Sequence, residues 1–479
     1  MSINTPLKDS RRKFVWRSSI LAFSILALIS ACVLKEKDQP ESTYGWAWVS
    51  GSNSAGQAGV YGTKGIASSS NFPGARGYVS SWFDSSGRLW LFGGHGFDSS
   101  SNVEHLNDLW KYNPSTLEWT WVSGSNTVDQ WGSYGIRRIA APTNVPGARD
   151  SCGSWLDNSD NLWLFGGWGF DSVGNEGNLN DLWKFDQTTL EWTWVSGSQV
   201  KGQAGVYGTQ GTADPSNFPG ARVRAMFWLD SSGRFWLLGG WGLDATGASG
   251  ELNDLWKFEP TTFEWTWVSG SGAKDRPGVY GIKGTADPSN LPGGRDGSAS
   301  WRDSNGKLWL FGGVGYDLVG NLGHLNDLWT YDPTTFQWTW VSGSNTINQS
   351  GSYGTLGTGS LLNIPGGSTG ASSWLDPNGK LWLFGGTGYN SSGNLGLLSD
   401  LWKFDPTTLD WTWVSGYKTL NQRGDYGTIG RRVPTNHPGG REYCVSWRDS
   451  SGKLWLFGGD GYDSSGARGW LNDMWNYLR

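Results

Sequence analysis

Leu89-Trp90-Leu91-Phe92-Gly93-Gly94 decides how the rest of this chain is read. Four consecutive apolar residues suit a short strand covered on both faces, and a glycine pair closes it. The same passage returns at 162–167, 235–240, 308–313, 381–386 and 454–459, and every interval is 73 residues. A fixed long period means one supersecondary unit stacked against copies of itself. Six units fill residues 42–479, which therefore read as one body.

Working outward from Leu89, Tyr78 to Phe83 reads as a first strand and Asp84-Ser85-Ser86-Gly87 as the turn after it. A loop rich in glycine, serine and asparagine leads to a third strand, Leu109-Trp110-Lys111-Tyr112. The turn Asn113-Pro114-Ser115-Thr116 then returns the chain into a fourth, Glu118-Trp119-Thr120-Trp121-Val122. Four antiparallel strands repeated about an axis predict an all-β fold, a six-bladed β-propeller. The 74 glycines and 35 tryptophans among 479 residues suit such a turn-rich protein. Gly45-Trp46-Ala47-Trp48-Val49 reads as a fourth strand without its first three, and the unit that ends at Arg479 lacks a fourth. The first strand is thus expected to complete the last blade and close the ring.

The unit resembles a kelch repeat, the kind found in the central domain of galactose oxidase. The glycine doublet carries the resemblance, together with Tyr112, Phe185, Phe258, Tyr331, Phe404 and Tyr477 and the following Trp119, Trp192, Trp265, Trp338 and Trp411. At 73 residues the unit exceeds the usual kelch length of about 50, and the excess falls in the loops. Galactose oxidase holds copper with paired Tyr and His ligands and a Tyr-Cys crosslink. With 4 histidines and no cysteine in a long loop, this chain is expected to carry no such cofactor and no metal. The sialidase Asp-box is not matched either, because Asp84 and Gly87 stand three apart.

Strand parity puts the long connections, second strand to third and fourth strand to the next unit, on one face, where function is expected. Five tryptophans recur per unit; Trp131, Trp168, Trp241 and Trp470 fall outside these repeated positions, on the long-loop face. With His95, Tyr78, Arg224, Glu442 and Tyr443 they form a candidate surface for a glycan or a protein partner. The alternative is that they pack against their own loops. Arg76, Arg149, Arg222, Arg295 and Arg441, with Ser368 in unit five, read as a structural ring paired to Asp108, Asp181, Asp254, Asp327 and Asp473, or else as an anion-binding crown. Unit five also has Ser399 and Asn390 where other units have Asn and Asp, which implies one network lost together. His105 and His324 read as surface loop residues on opposite sides of the ring.

A surface-tethered binding protein is the function expected. The alternatives are a structural or adhesive envelope component, or a sugar-modifying enzyme using the carboxylates Asp150, Asp296 and Glu442 at the variable positions beside the arginines, a chemistry for which the six-bladed kelch-type N-acetylneuraminate epimerase is a precedent on this scaffold.

Ahead of the repeats, Lys8, Arg11, Arg12, Lys13 and Arg17 precede a short apolar run. Ile29-Ser30-Ala31-Cys32 then resembles a bacterial lipobox, which implies a lipoprotein signal peptide over 1–31 and lipidation of Cys32. Residues 32–41 would tether the 42–479 body to the envelope membrane, with Val33 implying the outer membrane in a Gram-negative host. Losing that basic leader makes the remainder more acidic than the net −5 of the whole chain, so nucleic acid is not an expected partner.

Overall fold

The computed structural model describes residues 1–2 and 42–478. The leader, Cys32 and the tether lie outside the described residues. The body is all-β and consists of six repeated antiparallel sheet units, propeller-like in arrangement.

In the first unit the strands are Ser80–Phe83, Leu89–Phe92, Leu109–Asn113 and Glu118–Ser123, paired in that order. The apolar second strand is fully buried, as two-sided cover requires. Trp90 stands opposite both Trp82 and Lys111, so indoles and aliphatic stems stack across the sheet. Between neighbouring units Trp82 donates its indole N–H to the carbonyl of Trp163, and Trp301 and Trp374 repeat the bond to Trp382 and Trp455.

Two sequence expectations are corrected. Tyr78 is not in the first strand: its φ of 57° takes it out of the ladder, and the strand begins at Ser80. The second-to-third connection is not a loop but a hairpin extension. His95–Phe97 pairs with Val103–His105 in unit one, while Leu162–Phe170 and Glu176–Asp186 run straight through in unit two. Asp98 caps that hairpin by accepting the backbone N–H groups of Ser100 and Asn102.

The long connection into each unit runs along its outer edge. Ala213–Asp214 pairs with Thr266 and Trp265 of the fourth strand, and equivalent segments do so in units four and five. An edge that would otherwise present unpaired backbone is thereby covered.

Closure rests on three observations. Gly45–Ser50 pairs with Arg468–Leu478, setting Trp46 opposite Tyr477 and Trp48 opposite Trp475. Apolar cores lie between successive units, and one of them joins Trp447, Trp455 and Phe457 of the last unit to Leu89, Trp110 and Trp119 of the first. On the axis, one residue per unit donates its N–H to the same residue of the preceding unit: Ser151 to Tyr78 at 2.9 Å, Arg224 to Ser151 at 3.1 Å, Gly297 to Arg224 at 3.0 Å, Gly370 to Gly297 at 2.9 Å, Tyr443 to Gly370 at 2.8 Å and Tyr78 back to Tyr443 at 3.2 Å. All six residues have φ between 50° and 68°. Four of them are not glycine, and each of those costs about 1 kcal/mol in this left-handed region.

Candidate functional site

Each unit carries a buried polar node. Asp108 accepts Arg76 through both oxygens at 2.6 and 2.8 Å, the Tyr61 hydroxyl at 2.6 Å and the Trp110 indole at 2.7 Å. Arg76 completes its bonding on the carbonyls of Gly74 and Gly93 and is fully buried. Arg149–Asp181, Arg222–Asp254, Arg295–Asp327 and Arg441–Asp473 repeat the pair. Buried, and with four of the five donors of Arg76 already bonded within the protein, these guanidinium groups are closed to a ligand anion, and the geometry is that of scaffolding. The tyrosines at 61, 134, 207, 280, 353 and 426 belong to the same nodes, and their own 73-residue spacing is the signal that could have found them.

In unit five Ser368 cannot pair with Asp400, which keeps only Tyr353 and Trp402; burial pushes its carboxyl up to about 6. Asn390 does not belong to this node, contrary to the single shared network expected from the sequence. It caps the hairpin turn as Asp98 does, because backbone donors need only an acceptor oxygen.

One residue beyond each arginine the chain faces the mouth of the ring, and there the units diverge. Cross-strand pairing sets three side chains in a row in each unit, from the axis outward. The rows are Gly77, His95 and His105; Asp150, Trp168 and Asn178; Val223, Trp241 and Glu251; Asp296, Val314 and His324; Thr369, Thr387 and Leu397; Glu442, Asp460 and Trp470. The arc formed by units six, one, two and three is aromatic and charged, and a cavity of about 460 Å³ opens over it. Tyr78, His95, Trp168, Arg224, Trp241, Glu442 and Trp470 all line it, with Asp150, Asp460 and Arg468. Trp168 and Trp241 are half-buried, not covered by their own loops.

Trp470 leans across the unit boundary onto Gly77, where any Cβ would collide with the indole. Unit one alone has glycine at that place in its row. Tyr443 lies deeper, in a space of about 190 Å³ on the axis. Its ring lies over Gly370 and its hydroxyl beside Gly297, two positions where a side chain would displace it. Tyr78 stacks on Tyr443 with centroids 4.1 Å apart, and burial pushes the Tyr443 phenol up to about 12. Trp131 is not part of this assembly. It stands 61% exposed against Gly174, because the connection carrying it runs along the outside of unit two.

His105, expected at the surface, is buried: its Nδ1 is 3.1 Å from Asp150 and its Nε2 is 3.2 Å from Glu176. Burial opposes the imidazolium, but the two carboxylates outweigh it and hold His105 above the ordinary histidine value. Glu176 also accepts the Trp168 indole N–H at 2.5 Å, which fixes that ring at the cavity wall. Arg224 pairs with Asp296 at 2.6 Å. Burial pushes Glu251 and Asp296 upward, Asp296 adding repulsion at Glu251, with Arg224 opposing at both. Glu442 is raised by burial, against a hydrogen bond from Thr387. Cys152 and Cys444 are free thiols pushed up to about 12 by burial, in the wall of the axial space.

The cavity combines indole faces, hydrogen-bonding carboxylates and fixed arginines, the set that binds a polar ligand with an apolar face. No family model matches the chain, and no curated protein is similar to it.

Proposed function

We propose that the chain is a six-bladed kelch-type β-propeller whose mouth binds a carbohydrate. The observation that carries the reading is the cavity with Trp168, Trp241 and Trp470 on its walls and polar groups converging between them. A sugar ring offers C–H groups to an indole face and hydroxyls to carboxylates, and both kinds of partner are present at half-buried depth. The four left-handed, non-glycine residues on the axis support the same reading, since backbone strain concentrates where a site must be held rigid.

The leader and Cys32 add a place to this activity: a lipid anchor at the bacterial envelope, presenting the mouth to glycans outside. Incorporation of labelled fatty acid, abolished by Cys32→Ser, would support the anchor; unlabelled parent protein would remove it. The binding itself is tested on a broad glycan array with the protein and a Trp168→Ala/Trp241→Ala variant of unchanged melting. Selective binding lost in the variant is expected. Binding that survives both substitutions would sink the assignment to this mouth.

A further inference from the structure

The cations at the mouth are already taken. Arg468 holds Asp460 with Nη2 at 2.6 Å and Nε at 3.2 Å, and stands 3.6 Å from Glu442. Arg224 is bound to Asp296, and His105 lies between Asp150 and Glu176. Of the groups that line the cavity, the carboxylates Asp150, Glu442 and Asp460 stand against the guanidinium groups of Arg224 and Arg468.

Of the carboxylates that line the cavity, Glu442 is the least provided for, since Asp150 has His105 and Asp460 has Arg468. It lines the cavity and is 9% exposed; a neutral hydroxyl from Thr387 and the more distant guanidinium of Arg468 are its partners. Lining the same cavity are the indoles of Trp168, Trp241 and, in the same row as Glu442, Trp470, and indole faces attract a cation as well as a sugar ring. An anionic sugar would meet Asp150, Glu442 and Asp460 together, and like charges at such range repel. A neutral sugar would leave Glu442 with no counter-charge beyond the guanidinium of Arg468, which it shares with Asp460.

We infer that the ligand of this mouth is a sugar bearing a free amino group, its ammonium on Glu442 and its ring face on the indoles. The inference rests on the carbohydrate reading of the same cavity. An ammonium–carboxylate contact in a partly dry site is worth about tenfold or more in affinity over the same sugar with its nitrogen acylated.

The test titrates the full-length protein by calorimetry with two probes, the β-1,4-linked hexamer of glucosamine and that of N-acetylglucosamine, at mildly acidic pH where the amine is protonated. The expected result is at least about tenfold tighter binding of the glucosamine hexamer, with the difference lost in Glu442→Gln. Equal or tighter binding of the acetylated hexamer overturns the amine inference and leaves the carbohydrate reading standing. Failure of both hexamers to bind overturns both. Discrimination that survives in a folded Glu442→Gln variant removes Glu442 from the role. The two probes differ at one nitrogen, so their comparison in the parent protein stands even if the variant does not fold.

Discussion

Two rings of this molecule are one residue apart in the chain and opposite in character. At Arg76, Arg149, Arg222, Arg295 and Arg441 the units agree, and each side chain turns into its sheet to meet an aspartate. At the next residue they read Gly77, Asp150, Val223, Asp296, Thr369 and Glu442, and these face the mouth. Neighbouring residues on extended chain point opposite ways, so one short segment serves packing with one side and lines the mouth with the other. The comparison teaches where to look on a repeat scaffold: identity at the period marks what holds the units together, and divergence in the adjacent register marks what the assembly is for.

The strongest way to break the packing side is to delete residues 44–50. The last unit then loses Trp46, which is 1% exposed, and the edge of Arg468–Leu478 is laid bare. The loss should exceed the ~5 kcal/mol of the worst single large-to-small core change and abolish a cooperative melt; a deletion that melts like the parent would refute closure. Next comes Asp181→Ala, which strands Arg149 in a buried site and leaves Tyr134 and Trp183 without their acceptor. Denaturant titration should show a loss of about 3–5 kcal/mol.

Unit five sharpens the comparison through pH. Asp400 titrates at about 6 in the folded protein, above an unfolded carboxyl near the ordinary 3.8. Between those values the folded state keeps a proton that the unfolded state has released, so stability falls as pH rises from about 4 to about 6 and is level beyond, by on the order of 2–3 kcal/mol. Ser368→Arg supplies the missing partner, and the difference between variant and parent stability should grow across that interval. A constant difference would mean that Asp400 is already ionised throughout. The smallest stability effect belongs to the mouth: Trp168→Ala and Trp241→Ala should each cost about 1 kcal/mol or less while removing most glycan binding.

The repeat made the sheet units, the N-terminal strand and the Arg–Asp pairs readable, because each depends on local pattern and a fixed interval. Tyr78 was misread as strand because its neighbours have strand composition, whereas its left-handed turn is imposed by the axial partners in the units on either side. The tyrosine of each node was missed for a similar reason: Tyr61 is 47 residues from Asp108, in a segment that resembles a loop. His105 looked like a surface residue because the carboxylates that bury it come from the next unit. Trp168, Trp241 and Trp470 stood out as departures from the repeat, but their convergence on one cavity is a property of the curved assembly and has no signature in spacing.

The six axial hydrogen bonds run in one rotational sense and return to their starting residue. A circuit of this kind counts its members. A seventh copy of the 73-residue unit placed between units six and one would part Tyr443 from Tyr78 and Trp470 from Gly77. A duplication at that boundary would therefore unmake the mouth without altering any residue in it.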